Sequence, residues 1–137
     1  MNRNYDFKWG IDDNGSSGLV CGEDFRGPRP FSEPETQAVR DFLLDHRQVK
    51  IALNLHAWGP LFIIPYNYDH SKSDSHLPDS ARKFYNDLYN KAGVPRAYKK
   101  GNGATTIGYT ANGEASDWML HELGIYALSP ELGIDSR

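Results

Sequence analysis

Apolar residues along the chain fall into short strand-like runs separated by amphipathic stretches. Residues 51–55 (IALNL) and 61–64 (LFII) are β-branched or leucine-rich and are separated by Gly59 and Pro60. This predicts two buried strands joined by a tight turn. Residues 125–129 (IYALS) predict a third buried strand, ending at Pro130 and Glu131. Ser32-Glu33-Pro34-Glu35 reads as a helix start: Ser32 can cap, Glu35 is its capping-box partner, and Pro34 is tolerated in the first turn. That helix should run to about Asp45, with Val39, Phe42, Leu43 and His46 on its inner face and Arg40, Asp41 and Asp45 outward. From Pro78 a second helix should reach about Ala92, carrying an apolar stripe of Ala81, Phe84, Tyr85, Leu88, Tyr89 and Ala92, with Gly93 as its stop. A third, over 114–123, turns Ala115, Trp118, Met119 and Leu123 inward and stops at Gly124. Strands alternating with helices place the chain in the α/β class.

The polar stretches between these elements are less regular. Residues 1–31 are rich in Gly, Pro, Asn and Asp, with GIDDNGSSG and GPRP as turn signals. A loop of that length is uncommon in a compact domain and is usually functional or part of something larger. Residues 66–77 form a second polar loop containing His70 and His76. Their irregular spacing on a soft loop gives no fixed ligand geometry, so we do not expect a metal there. The basic patch Arg96, Lys99 and Lys100 precedes GNGATTIGY, but the P-loop spacing is absent. In His121-Glu122 the second histidine of a zincin helix would fall at Ile125, so that motif is absent too.

Composition narrows the field. The 137 residues, 39% apolar and 24% charged, suit one soluble globular domain. A net charge of −3 without a Lys/Arg block excludes nucleic acid as a partner. No run approaches the roughly 20 apolar residues of a membrane helix, and NRNYDFKWG has no export-signal core. The single cysteine, Cys21, suggests by itself a reducing compartment or a buried thiol. The sequon Asn14-Gly15-Ser16 matters only in a secreted protein.

His56 and Glu131 share a position: each follows an apolar strand at its C-terminal end. In α/β sheets that edge collects ligands and reacting groups. A lone histidine specifies no reaction, and a core histidine bonded to backbone is the competing possibility.

Five stretches, NRNYDFKWG, CGEDFRGPRPFSEPET, NLHAWG, IGYTANGEASDW and SPELG, resemble in sequence and order the zinc metallocarboxypeptidases of the carboxypeptidase A type, peptidase family M14. The resemblance covers essentially the whole chain. It implies the second half of that family's catalytic domain, a mixed-sheet, three-layer α/β/α fold truncated at both ends. The His-x-x-Glu motif, which carries the first two zinc ligands, and the arginine that polarises the scissile carbonyl are expected before Asn2, and a final helix after Arg137. The last strand should lie between a partner outside the chain and the strand ending at His56, leaving an apolar edge open.

Residue by residue, the resemblance implies that His56 is the third ligand of a catalytic Zn²⁺ whose other two ligands are missing here. Glu131 becomes the general base that takes a proton from the metal-bound water and delivers it to the leaving amine. Asn2 and Arg3 grip the terminal carboxylate of a peptide or protein C-terminus, which a planar guanidinium can hold through both oxygens. Tyr109 closes over the substrate, and Gly101, Gly103, Gly108 and Gly113 suit a loop that moves. Ser116, before the Asp-Trp pair, selects the side chain; being small and uncharged it favours apolar or aromatic residues, although Glu114 is near enough to supply a charge. Cys21 becomes half of a disulfide whose partner lies before Met1, which replaces the reducing compartment with an extracellular, secretory or lysosomal one. The expected function is zinc-dependent removal of C-terminal residues, with this stretch inactive alone. The alternative is a non-catalytic remnant that binds C-terminal carboxylates.

Overall fold

Strand β5 (Tyr126–Leu132) is the element on which the others hang in the computed structural model, which describes residues 1–91, 93, 95 and 97–133. Ahead of it in the chain come α1 (Pro34–Asp45), β1 (Ile51–Leu53), β2 (His56–Ala57), β3 (Leu61–Ile63), α2 (Asp79–Lys91), β4 (Lys99–Gly101), α3 (Gly103–Thr106) and α4 (Ala115–Leu123). β1 and β2 run parallel to β5 along one edge, pairing Ile51 with Tyr126 and His56 with Glu131. β3 runs antiparallel along the other edge, and β4 lies parallel beyond it, so the order is β1–β5–β3–β4. The sheet is therefore mixed.

This order corrects two expectations. The runs at 51–55 and 61–64 do not form a pair, because the turn at Gly59-Pro60 carries the chain around β5 and delivers the two segments to its opposite edges. Nor is β5 the open edge. It is paired on both sides, and the edges of the sheet are β1 and β4, of which β1 carries the apolar run. Ile51, Leu53 and Leu55 are 53%, 58% and 60% exposed, so the run expected to be buried presents its apolar side to solvent. Its composition fits a covered strand, but no described residue covers it.

Both faces of the sheet carry a core. Ala127 and Leu128, successive residues of β5, must point to opposite faces. Ala127 joins Tyr5, Phe31, Leu43, Trp118 and Met119 on one side, while Leu128 joins Phe62, Ile64, Ala81, Tyr85 and Leu120 on the other. α2 follows the expected stripe; Tyr85 is fully buried and its hydroxyl donates to the Ala127 carbonyl at 2.7 Å. Ala92 and Arg96 lie outside the described residues. α4 begins one residue after the expected 114, with Glu114 as its N-cap, and stops as expected at Gly124, a left-handed C-cap at φ 64°; residues 115–120 are buried all round rather than on one face.

α1 has the expected bounds and a different face. Its N-cap is Glu33, and Ser32 makes no cap bond because its hydroxyl accepts from Asn4 and donates to Glu33. Thr36 donates to Asn4 Oδ1 at 2.8 Å, which turns Thr36 and Leu43 inward with Arg40 over the Phe31 ring. Val39 and Phe42 are consequently exposed, and His46 stacks on Phe42. Neither β4 nor α3 was visible in the sequence; Lys-Lys-Gly has little strand propensity and pairs because β3 offers it an edge.

The irregular residues 1–31 are held by side chains rather than by regular structure. Asn4, 1% exposed, donates to the carbonyls of Arg26 and Arg29 and accepts from Glu33 N and Thr36. Tyr5, Phe31 and Trp118 form an aromatic cluster with ring centroids 5.3–5.6 Å apart. These contacts fix Asn2 and Arg3 against the ends of the sheet strands.

Candidate active site

A cavity of about 60 Å³ opens where β2 and β5 end, lined in part by Asn2, Arg3, His56, Tyr109, Glu114 and Glu131. Five of the six residues singled out by the resemblance thus meet in one place. Ser116 is the exception: it is fully buried behind Glu114, to which its hydroxyl donates at 2.5 Å.

His56 and Glu131 reach the cavity as register partners of paired strands. Asn54 and Asn2 place their amide nitrogens 3.0 and 3.2 Å from His56 Nε2. In this arrangement Nε2 accepts and the ring proton sits on Nδ1, which makes no hydrogen bond among the described residues; Nδ1 would ligate a metal only in the other tautomer, with the proton on Nε2. Asn2 is itself fixed by Ala115 N, which donates to its Oδ1 at 3.1 Å. Arg3 donates through Nη1 to the Asn2 carbonyl at 2.7 Å, while its Nε is buried without a partner. A buried guanidinium donor left unpaired is costly unless an anion completes it.

Behind Arg3, Gly113 accepts from Tyr5 N at 2.9 Å and sits at φ 66°; a Cβ there would come within 2.6 Å of the Arg3 carbonyl. Tyr109 stands at the rim, 54% exposed, after Gly108 at φ 88°. Of the four glycines expected to loosen this loop, a Cβ on Gly101, Gly103 or Gly113 would meet protein atoms within 2.7 Å, and only Gly108 faces open space. Close packing explains three of them.

The sequence noted Glu114 only as a neighbour, yet it is the electrostatic centre of the pocket. Its carboxylate, 2% exposed, accepts from Ser116 N and Oγ, Asp117 N, Ser129 Oγ (2.6 Å), Asn2, Asn54 and Asn67. Burial pushes its pKa up, but the bonds from Ser116, Ser129 and Asn2 outweigh burial and hold it below the ordinary glutamate value. The next carboxyl, Asp117, is also buried. Burial and then the charge on Glu114 raise it well above the ordinary range, although Asn67 N and Tyr68 N donate to it. Tyr5 responds to the same field, pushed up to about 12 by burial and then by Glu114. One signal in the sequence marked Glu114: a glutamate at an N-cap, where Ser, Thr, Asp and Asn are preferred. Asn54, Asn67 and Ser129, which complete the network, carried no such signal.

Whether these residues fit a catalytic zinc can be judged from the donors present. His56 supplies one ligand, but no group of three or more His, Cys, Asp or Glu among the described residues can hold a metal ion. His70 lies 3.6 Å from Asp12, and His76 pairs with Asp69. The described residues alone do not make a zinc site.

Fold and site together define a mixed-sheet α/β protein with a small pocket where a histidine, a glutamate and an arginine converge at strand ends. A family model described as zinc carboxypeptidase, peptidase M14, matches residues 1–137. The chain belongs to the zinc carboxypeptidase family. It is 34% identical to human carboxypeptidase A6 and 35% identical to rat carboxypeptidase A2, each over 134 residues, covering 96% of this chain and 30% and 31% of those proteins. Its fold superposes on bovine thrombin-activatable fibrinolysis inhibitor, solved with a tick carboxypeptidase inhibitor, at TM-score 0.77 and 29% identity, covering all of this chain and 46% of that one. Carboxypeptidase A from Helicoverpa armigera gives TM-score 0.77 at 26% identity, with 34% of that chain covered. The chain thus spans about a third of the length of the curated relatives it matches.

Proposed function

We propose that residues 1–137 supply the substrate-carboxylate grip and the proton-transferring glutamate of a zinc carboxypeptidase acting on peptide and protein C-termini, with further zinc ligands contributed from outside the described residues. The observation that carries this is the convergence of Arg3, Asn2, Tyr109, His56 and Glu131 on one cavity, with a buried Arg3 Nε awaiting an anion. In this proposal Arg3 and Asn2 bind the terminal carboxylate and so set the scissile bond one residue inward. Tyr109 covers it from the rim. Glu131 accepts a proton from the attacking water and returns it to the departing amine. The exposed apolar strand β1 supports a covering segment on that side. An exposed Cys21 and an exposed Asn14 in its sequon support a secreted or lysosomal protein. No described helix is long and apolar enough to cross a membrane.

The single ligand at His56 favours one other function, a non-catalytic module that binds C-terminal carboxylates. Both are tested on the complete translation product containing these residues, using benzoylglycyl dipeptides as free acids and as amides. Hydrolysis of the acid and not the amide supports the enzyme; acid-selective binding without turnover supports the module. Equal treatment of acid and amide overturns both.

A further inference from the structure

Asn2 belongs to no helix or strand, so side-chain bonds must set the direction of its amide. Ala115 N can only donate, which makes the atom facing it at 3.1 Å Asn2 Oδ1. Glu114, held ionised by its donors, can only accept, so Asn2 Nδ2 is the atom that faces its Oε1, also at 3.1 Å. The two contacts together forbid an amide flip. One proton of Asn2 Nδ2 is thereby committed to Glu114. The other is directed toward His56 Nε2, 3.2 Å away, where both residues line the cavity beside Arg3. The two oxygens of Glu114 have separate partners. Oε2 accepts the capping donors of α4, Ser116 N at 2.8 Å and Asp117 N at 3.1 Å, together with Ser116 Oγ and Asn67 Nδ2. Oε1 accepts from Asn2, Asn54 and Ser129. Helix capping explains Oε2 alone, and a serine or aspartate would cap as well at less desolvation cost. What the longer side chain adds is the reach of Oε1 to Asn2.

We propose that Glu114 is a positioning residue: its Oε1 locks the Asn2 amide so that one N–H is presented to the terminal carboxylate of the substrate beside Arg3. This rests on the proposed function, in which Asn2 and Arg3 grip that carboxylate. Glu114 needs no contact with substrate for this, because its acceptor sites are filled from within the protein. An amide free to flip would offer the carboxylate an oxygen as readily as an N–H, and an acceptor facing an anion leaves both unpaired. Locking removes that state before substrate arrives and so lowers the ordering cost of binding. The grip is the same in the ground state and the transition state, so KM carries the effect.

The test uses benzoylglycyl-phenylalanine and its amide with the complete translation product, read as KM and kcat, or as Kd where nothing is hydrolysed. Glu114→Asp keeps the charge and a favoured N-cap, but one methylene shorter it cannot cap α4 and reach Asn2 together. It should raise KM or Kd for the free acid about tenfold, leave kcat within about threefold, and leave binding of the amide unchanged. Glu114→Gln should do the same, because Ser116 N and Asp117 N select its carbonyl oxygen and turn its NH₂ against Asn2 Nδ2. In an Asn2→Ala background neither substitution should change KM or Kd by more than about twofold, whereas a general loss of structure would add to the effect of Asn2→Ala. The aspartate cycle decides the matter even if the glutamine variant fails to fold. Wild-type affinity for the free acid in Glu114→Asp, or an undiminished effect in the Asn2→Ala background, overturns the role of Glu114 and leaves the carboxypeptidase proposal standing. Absence of acid-over-amide preference in the wild type overturns both.

Discussion

His56 and Glu131 are Cα partners across β2 and β5, so the candidate metal ligand and the candidate base are set side by side by backbone pairing rather than by loop conformation. Side chains placed by paired strands are held more precisely than side chains placed by loops. Glu131→Gln keeps the shape and removes the proton acceptor. In the complete translation product it should lower kcat for a benzoylglycyl dipeptide by about 10²–10⁴-fold with little change in KM. A loss confined to KM would show that Glu131 binds substrate instead.

With His56 as the one ligand at the site and no group of three among the described residues, the 137-residue polypeptide should retain well under one zinc after dialysis. Metal analysis of the dialysed protein checks this. One tightly held zinc, lost on His56→Ala, would mean that ligands such as His70 or His76 complete a site in solution.

Much of this site was legible in the sequence because short contiguous motifs carry it. NLHAWG and SPELG place His56 and Glu131 at strand ends, and the strands at 51–55 and 125–129 are marked by composition. What the sequence concealed is relational. That β5 lies between β1 and β3 is decided by non-local pairing, which a tight-turn signal such as Gly59-Pro60 cannot encode. The inner face of α1 is not legible in the sequence because Thr36, a polar residue, is drawn inward by Asn4 across 32 positions of sequence, while Val39 and Phe42 are left outside. Glu114 is inconspicuous in the sequence for a comparable reason: its donors come from residues 2, 54, 67 and 129, far apart in the chain.

The open edge of β1 has a consequence for the isolated polypeptide. Ile51 and Leu53 present apolar side chains on a strand whose outer backbone groups are unpaired, which is a template for association. At micromolar concentration the 137-residue polypeptide should self-associate in light scattering. Ile51→Lys with Leu53→Lys should reduce this by charging the edge. A wild-type polypeptide that stays monomeric and melts cooperatively would show that the edge is protected.

Asp12 ties the first loop to the substrate side of the molecule. It accepts from Asn14 N at 2.9 Å and from Asn112 Nδ2 at 2.7 Å, and these bonds lower its pKa from 3.8 to about 2. A carboxylate lowered on folding stabilises the protein fully above its ordinary value, and the contribution fades as pH falls from 3.8 toward 2. Asp12→Asn should therefore be less stable than wild type at pH 6, and the gap should close by about pH 2. Thermal melts of both proteins across this range measure it. A gap constant with pH would assign the effect to packing.

Gly113 and Gly124 share almost the same backbone, φ 66° and 64°, but not the same surroundings. At Gly124 nothing lies within 4 Å of a would-be Cβ, so only the left-handed conformation is at stake, at about 1–2 kcal/mol for alanine and less for asparagine, which tolerates it. At Gly113 a Cβ would also press within 2.6 Å of the Arg3 carbonyl and 2.9 Å of the Tyr5 carbonyl. Asparagine should thus rescue much of the stability lost by alanine at 124 and little of it at 113. Because the obstructed backbone is that of Arg3, Gly113→Ala should also raise KM for free-acid substrates while Gly124→Ala does not. Denaturant melts and steady-state kinetics on the four variants separate the two effects, and equal rescue by asparagine at both positions would refute the steric role assigned to Gly113.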